Sequence, residues 1–252
     1  MRGAHSHGRR TAHRTAAPGP RTRAAVVRRA ATADLAGSTA LGTLMAFVLL
    51  ALTVTGHGGA PLFGDADLLH WSLAHRPPVA VAVARAVTYT GTGFVPYLLA
   101  TAAGLTTGRT ARSGALAAAA CVACLAMGQT VRYGVMSLAA RPRPERTDWV
   151  THASGWSFPS GHTTTAALTA GLLALAILVR APRGRVGLVA VVLTWGVSVG
   201  LTRVYLGVHW FSDVLGGWLL ALCWLSLCAY AAARLAPRTF ADAREPVRSS
   251  AP

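Results

Sequence analysis

One histidine and one aspartate near the end of the sequence have the types and spacing that nucleophilic catalysis requires. His209 and Asp213 are four residues apart, so on a helix their side chains share a face. A carboxylate bonded to one imidazole nitrogen fixes the tautomer and leaves the other nitrogen free to attack. An ordinary His–Asp pair on a helix surface is the alternative interpretation.

A second histidine, His162, follows Pro159-Ser160-Gly161 at the start of an apolar segment. Proline and serine are typical of helix starts, and Ser160 is a candidate N-cap. Gly161 lets backbone approach a ligand, and the free N–H groups at a helix N-terminus bind phosphate well. His162 then lies in the first turn and faces the same pocket. A plain helix cap with an interfacial histidine is the alternative.

Arginines accompany these histidines at the edges of apolar segments, where charge is expensive. They are Arg132, Arg141, Arg143 and Arg203. Several cations around one carboxylate suit an anion site, and arginine forks bind phosphate readily. The prolines that follow Arg141 and Arg143 stop the preceding helix and project both guanidinium groups into a loop. Taken alone, this stretch is also typical of a basic anchor at the membrane edge.

The elements that position these residues are predicted to be membrane helices. Of the 252 residues, 53% are apolar and 13% are charged, about half the ~25% charged residues usual in soluble domains. This composition excludes a disordered chain, a disulfide-stapled miniprotein and most soluble enzymes. Much of the chain is therefore expected to lie in lipid.

The hydropathy pattern predicts an all-α, polytopic bundle of six transmembrane helices with short interfacial helices. Short interfacial helices are expected at 67–75 and 79–90. The predicted spans are about 35–55, 94–108, 113–138, 163–179, 186–202 and 211–233. Each approaches or exceeds the length that crosses ~30 Å of hydrocarbon.

Three regions are predicted: a disordered basic tail at 1–33, a membrane domain at 34–235 and a disordered tail at 236–252. Six spans put both termini on one side, and 17 of the 24 arginines fall on that side. The protein is therefore expected in the cell membrane. By the positive-inside rule, both termini are predicted to lie on the cytoplasmic side. The loops that carry the histidines then face outward.

The charge and cysteine patterns restrict the partners. All 24 basic residues behind the net charge of +16 are arginines, and they flank apolar segments rather than forming a nucleic-acid-binding face. The expected partners are therefore the bilayer and a membrane lipid, not nucleic acid. Cys121 and Cys124 have a metal-like spacing, but no second pair or nearby histidine completes a zinc site. The oligomeric state is not encoded in a recognisable pattern.

Three ordered motifs resemble a known family. Pro159-Ser160-Gly161-His162, then Thr202-Arg203-x5-His209-x3-Asp213, resemble the second and third signature motifs of the phosphatidic acid phosphatase type 2 superfamily. Arg143-Pro144 resembles the end of its first motif, Lys-x6-Arg-Pro. The resemblance covers roughly residues 35–233 and is to the integral membrane branch.

The resemblance implies a metal-independent, cofactor-independent lipid phosphatase. In that mechanism His209 attacks phosphorus to form a phosphohistidine, Asp213 orients His209, and His162 protonates the leaving oxygen and then activates water. The residues expected to hold the phosphoryl oxygens are Arg143, Arg203, Ser160 and Gly161, with Arg132 and Arg141 as further candidates.

Two departures and several alternatives remain at this point. Met136 stands where the family has lysine, and Arg132, one turn earlier, is a candidate replacement if its side chain snorkels toward the site. Thr202 stands where serine is usual. A phosphotransferase with an acceptor other than water and a lipid-binding or transport homologue without turnover are alternative functions. Phosphatidate, phosphatidylglycerol phosphate and polyprenyl diphosphate are not distinguished as substrates.

Overall fold

The computed structural model describes residues 20–180 and 184–235, and within these ranges it contains helices and no strand. A short 3-10 turn, Arg146–Asp148, lies in the linker between the fifth and sixth α-helices. The eight α-helices of this part of the chain are α1 (Pro20–Gly56), α2 (Asp65–Ala74), α3 (Pro78–Thr90), α4 (Val95–Thr107), α5 (Ala111–Ala139), α6 (Gly161–Arg180), α7 (Arg185–Tyr205) and α8 (Phe211–Leu235).

Five of the described helices, α1, α5, α6, α7 and α8, are long and apolar enough to cross a membrane. Their apolar parts run from 20 to 30 residues, which at 1.5 Å per residue matches ~30 Å of hydrocarbon. The four predicted spans after residue 110 agree with α5–α8 to within three residues at each end. The prediction of an all-α, multi-pass membrane bundle is confirmed.

The second crossing differs from the predicted continuous span. Helix α4 has 13 residues, or ~20 Å, too short to cross alone. Helix α3 packs against α7, whereas α4 packs against α5 and α6. Pro77, just before α3, shares a cleft with Tyr205, while Thr106 near the end of α4 shares one with Arg180 at the opposite end of the bundle. Two short helices therefore divide this crossing, and the predicted interfacial helix 79–90 belongs to it.

Helix α1 begins earlier than predicted. It starts at Pro20, inside the segment 1–33 that was expected to be disordered. The physical reason is propensity, because residues 21–33 are rich in alanine and arginine and lack glycine and proline. The predicted tail segments 1–19 and 236–252 lie outside the described residues.

The helix ends bring the predicted site residues to one end of the bundle. Helices α5 and α7 end there, and α6 and α8 begin there, so the linkers 140–160 and 206–210 lie side by side. A backbone hydrogen bond from Val150 to Leu206 joins the two linkers. The start of α1 and the end of α8 meet at the opposite end, where Arg234 pairs with Asp34 at 2.9 Å.

Candidate active site

A polar cavity of about 310 Å³ lies among the site-side ends of α5, α6 and α7. Its wall contains both predicted histidines, three of the predicted arginines and the glycine that opens α6: His162, His209, Arg132, Arg143, Arg203 and Gly161. A larger groove of about 760 Å³ lies between α2, α3 and α7, is lined mostly by apolar side chains, and contains none of these residues. Side chains distant in sequence therefore meet in one polar pocket.

His209 and Asp213 form a fully buried pair. Nδ1 of His209 lies 3.3 Å from Oδ2 of Asp213, and Nε2 lies 2.8 Å from Nη1 of Arg143. A guanidinium only donates, so Nε2 accepts and Nδ1 carries the proton. The nitrogen with the free electron pair is therefore the one that faces the cavity. His209 precedes α8 in a turn rather than lying on the helix, so the pair is not the predicted i,i+4 helix-face pair.

Burial controls the ionisation of two groups in the linkers. It lowers the pKa of His209 to about 3, with the hydrogen bond that His209 donates to Asp213 acting in the opposite direction and the charge of Arg143 lowering the pKa further. The imidazole is therefore neutral above that pH, which is the state that a nucleophile requires. Burial also lowers the pKa of Arg143 to about 10, opposed by the charge of Asp213, and Arg143 stays a cation at neutral pH.

Asp213 is held from several directions. Its Oδ2 accepts from the hydroxyl of Ser157 and from the N–H of Trp210 at 2.9 Å, and its Oδ1 accepts from Nη1 of Arg141 at 2.6 Å. The Trp210 bond is half of a capping box, in which the third residue of a helix accepts from the N-cap N–H. The start of α8 therefore fixes the carboxylate beneath His209.

The start of α6 supplies backbone donors. Its first hydrogen bond runs from the N–H of Thr164 to the carbonyl of Ser160, so the N–H groups of Gly161, His162 and Thr163 lie outside the helical ladder. A Cβ atom at position 161 would lie 3.2 Å from Cζ of Arg132, so glycine lets the guanidinium group lie close to the start of the helix. A helix N-terminus beside a guanidinium group is a site suited to an anion.

Two guanidinium groups of the cavity wall are buried and incompletely bonded. Arg203 is 1% exposed, and Nη1 donates to Thr88 at 3.2 Å. Arg132 is 6% exposed, and Nη1 faces the sulfur of Met136 at 3.1 Å. Nε of each has no hydrogen-bond partner in the described part of the chain. The side chain of Arg132 turns toward the end of α5 and into the cavity, against the usual lean of helical side chains.

Arg143 is anchored by the linkers as well as by His209. Its guanidinium group donates to four backbone carbonyls, those of Ser154, Gly155, Trp156 and Val208. With the contact to His209, every one of its five N–H donors has an acceptor. Arg143 therefore holds the wall of the cavity together.

Two of the predicted phosphate ligands do not face the cavity. Arg141 is fully buried, and its five donors are taken by Asp65, Asp213, Ser212 and the carbonyls of Gly59 and Ala60. Unlike Arg143, Arg141 does not line the cavity and has no exposed surface, so the structure contradicts its candidacy.

Ser160 is also buried and lies behind the cavity wall. Its hydroxyl accepts from Thr163 at 2.9 Å, and its N–H donates to the carbonyl of Asp213 at 3.0 Å. Ser160 therefore stabilises the start of α6 and does not line the cavity.

A sequence model of the PAP2 superfamily matches residues 113–236. This part of the chain belongs to the PAP2 superfamily. The matched segment holds every predicted site residue, from Arg132 to Asp213.

PAP2 relatives match over parts of their length. Phosphatidylglycerophosphatase B of Bacillus subtilis (strain 168) is 41% identical over 87 residues, which are 32% of this chain and 41% of that protein. Phosphatidylglycerophosphatase B of Escherichia coli (strain K12) is 35% identical over 37% of this chain and 35% of its own length. Undecaprenyl-diphosphatase of Sulfolobus acidocaldarius is 32% identical over 47% of this chain and 54% of its own length. The matches thus span about half or less of these relatives.

The PAP2 fold extends beyond the matched segment. A crystal structure of a transmembrane PAP2-type phosphatidylglycerolphosphate phosphatase from Bacillus subtilis superimposes with a TM-score of 0.64. The superposition covers 83% of this chain and 99% of that chain at 21% identity. The likeness therefore shows a shared architecture that includes the helices before residue 113.

Two residues that the sequence analysis did not select complete the surroundings of the PAP2 motifs. Ser157 bonds Asp213 and lies 3.4 Å from Nδ1 of His209. Asp65, which lies outside the matched segment, pairs with Arg141 at 2.9 Å. Ser157 stands three residues before Ser160, and this closeness to a motif was the one available signal. Nothing in the sequence distinguishes Asp65 from Asp67.

Proposed function

We propose that this protein is a membrane phosphatase that hydrolyses a lipid phosphate or lipid diphosphate through a phosphohistidine intermediate. The observation that carries the proposal is that His162 and His209 line one cavity together with three guanidinium groups. The names of the relatives, phosphatidylglycerophosphatase B and undecaprenyl-diphosphatase, correspond to these two substrate classes.

In the first step, Nε2 of His209 attacks phosphorus while the bond from phosphorus to the leaving oxygen breaks. The bond's electron pair goes to that oxygen, which takes a proton from protonated His162. In the structure Nε2 accepts from Nη1 of Arg143 at 2.8 Å. A phosphoryl oxygen that binds Arg143 replaces His209 as the acceptor and so frees the electron pair for attack.

In the second step, the now neutral His162 takes a proton from water as the water oxygen attacks phosphorus. The phosphorus–nitrogen bond breaks, and inorganic phosphate and neutral His209 result. Asp213 keeps the proton on Nδ1 and stabilises the positive imidazole of the intermediate.

The remaining residues bind the phosphoryl oxygens. We assign this role to Arg143, Arg203, Arg132 and the backbone N–H of Gly161. Phosphoryl transfer depends chiefly on positioning and on stabilisation of charge, which these groups provide without a metal ion. Arg203 and Arg132 support the assignment most directly, because both line the cavity and neither pairs with a carboxylate in the described part of the chain.

We further propose that the site lies on the extracytoplasmic face and that both termini are cytoplasmic. The support is the arginine distribution, because 17 of the 24 arginines belong to the terminal segments and loops that the sequence analysis assigns to one side.

The test is a lipid panel on purified protein in detergent. Phosphatidylglycerol phosphate, phosphatidate and a polyprenyl diphosphate are scored for phosphate release, with and without EDTA. We expect release from at least one lipid, unaffected by EDTA and lost in His209→Ala. The matched control is His70→Ala, which removes an exposed histidine of α2.

Other outcomes identify the alternatives. Lipid binding without turnover in the unmodified protein contradicts the proposal and favours a binding or transport homologue. Loss of the lipid phosphate with no free phosphate, but with a phosphorylated acceptor, indicates a phosphotransferase.

A further inference from the structure

A carboxylate outside the PAP2 match is buried beneath the candidate active site. Asp65 opens α2, is 1% exposed and does not line the cavity. It accepts hydrogen bonds from the N–H of Leu62, from both the N–H and the hydroxyl of Ser212, and from Nη2 of Arg141, at 2.6 to 2.9 Å. A carboxylate this deeply buried is expensive to keep unless its partners compensate it fully.

Arg141 joins Asp65 to the candidate nucleophile's partner. Its Nη2 lies 2.9 Å from Oδ2 of Asp65, and its Nη1 lies 2.6 Å from Oδ1 of Asp213. All three side chains are at most 1% exposed. Because Arg141 occupies Oδ1 of Asp213, the other oxygen is left to face Nδ1 of His209.

The two carboxylates share one positive charge. Asp65 therefore limits how strongly Arg141 attracts Asp213, and it sets where the guanidinium group stands. If Asp65 loses its charge, the positive charge of Arg141 acts on Asp213 alone. The carboxylate of Asp213 then gives up less of its negative charge to His209 and becomes a poorer hydrogen-bond acceptor. An amide at position 65 also turns an NH2 group toward partners that are themselves donors.

We propose that Asp65 is a positioning residue that acts through Arg141 to aim Asp213 at His209. This inference rests on the proposed function, because it takes His209 as the nucleophile. Asp65 touches neither the cavity nor the phosphate-binding groups, so its effect belongs to the catalytic step and not to substrate affinity.

The experiment is a double-mutant cycle of Asp65→Asn and Asp213→Asn, measured as kcat and KM for lipid phosphate hydrolysis. Asp67→Asn is the matched control, since it makes the same chemical change on the same turn of α2 at an exposed position. Thermal unfolding in detergent and competitive inhibition by inorganic phosphate are measured for each variant.

We expect Asp65→Asn to lower kcat by about 10- to 100-fold, because Asp65, Arg141 and Asp213 act as one unit in the catalytic step. KM and the inhibition by phosphate should stay within about twofold of the unmodified protein. In the Asp213→Asn background the same change should lower kcat by less than about threefold, because coupled positions are not additive. Asp67→Asn should match the unmodified protein.

Equal kcat in Asp65→Asn and Asp67→Asn overturns the inference. It is also overturned if the fold-losses in kcat of Asp65→Asn and Asp213→Asn multiply in the double variant, because the two residues then act independently. If Asp65→Asn fails to fold, Ser212→Ala decides, because it removes a hydroxyl that bonds both Asp65 and Arg141 at 2.6 and 2.7 Å and leaves every charge in place. It should lower kcat without raising KM, and only when Asp213 is present. An unmodified protein without turnover on any lipid overturns the proposed function instead.

Discussion

Two buried guanidinium groups in the cavity carry donors that the protein does not bond. Nε of Arg132 and Nε of Arg203 lack partners within the described chain. A buried donor without a partner costs about 1–3 kcal/mol. Both guanidinium groups also line the cavity, and neither pairs with a carboxylate of the described chain, so their positive charge favours an anion there before any chemistry begins.

Met136 stands where the resembled motif has lysine, and Arg132 is the candidate replacement one turn earlier. We expect Arg132→Ala to lower kcat/KM by about 100-fold, the usual effect of removing one donor to a developing anion. Met136→Lys should retain or raise activity, because it returns an ammonium group beside Nη1 of Arg132, which lies 3.1 Å from the Met136 sulfur. The measurement is steady-state phosphate release on the best lipid of the panel.

The matched control for Arg132 is Arg112→Ala, an exposed arginine near the other end of the same helix. It should leave kcat/KM unchanged. Wild-type kinetics in Arg132→Ala would show that Arg132 does not replace the lysine of the resembled motif.

Neighbouring residues show how far side-chain roles can be predicted from sequence. Arg141 and Arg143 are both followed by proline and were both expected to face an anion. The structure turns Arg143 into the cavity and Arg141 into a buried ion pair. The difference depends on carboxylates that are about 70 residues away on either side, and no local pattern records those contacts. Asp65 escaped prediction for the same reason.

At the scale of elements, α4 and α5 pack closely against each other. Gly104 on α4 faces Ala118 on α5, and a Cβ on Gly104 would lie 2.3 Å from the Ala118 backbone. Small residues at such crossings let two helices approach closely in a membrane, where van der Waals packing replaces the hydrophobic effect. This packing fixes α5, which carries Arg132.

Gly104→Ala should therefore destabilise the protein by about 1–3 kcal/mol, the usual cost of overpacking. Gly42→Ala is the matched control, because no atom lies within 4 Å of a Cβ at that position of α1. Glycine-to-alanine changes at open helical positions stabilise by about 0.4–1 kcal/mol. Thermal unfolding in detergent measures both, and equal midpoints for the two variants would contradict the packing argument.

The long helices were predictable because an apolar run of about 20 residues has few alternatives. The division of the second crossing was not. Gly91 and Gly93 mark an interruption in the sequence, but the path of α3 follows from its packing on α7. That contact includes the position of Gly91, where a Cβ would meet the Val199 side chain at 2.3 Å. Such a contact joins segments about 100 residues apart.

At the scale of the whole molecule, the two ends of the bundle differ in charge and in content. The site end holds the histidines and the buried ion pairs, and the other end holds the loop 108–110 and the paired ends of α1 and α8. Arginine counts per end could be read from the sequence once the spans were placed. The network beneath the cavity could not, since it needs side chains from the start of α2, the linker 140–160 and the start of α8 at once.

The proposed orientation is tested by thiol labelling in intact cells with the four native cysteines replaced by serine. Thr147→Cys, exposed in the 3-10 turn at the site end, should react with an impermeant reagent before lysis. Arg109→Cys, exposed in the loop at the opposite end, should react only after lysis. The reverse pattern would invert the orientation and place the site in the cytoplasm.

The first and last helices lie against each other, joined at their outer ends by Arg234 with Asp34 and by Arg29 with the carbonyl of Ala233. The two ends of the described bundle therefore lie close together, opposite the cavity. Joining them and opening the chain at 108–110, at the same end of the bundle, leaves the eight described helices and the linkers 140–160 and 206–210 uncut. We therefore expect such a permuted chain to form the same cavity.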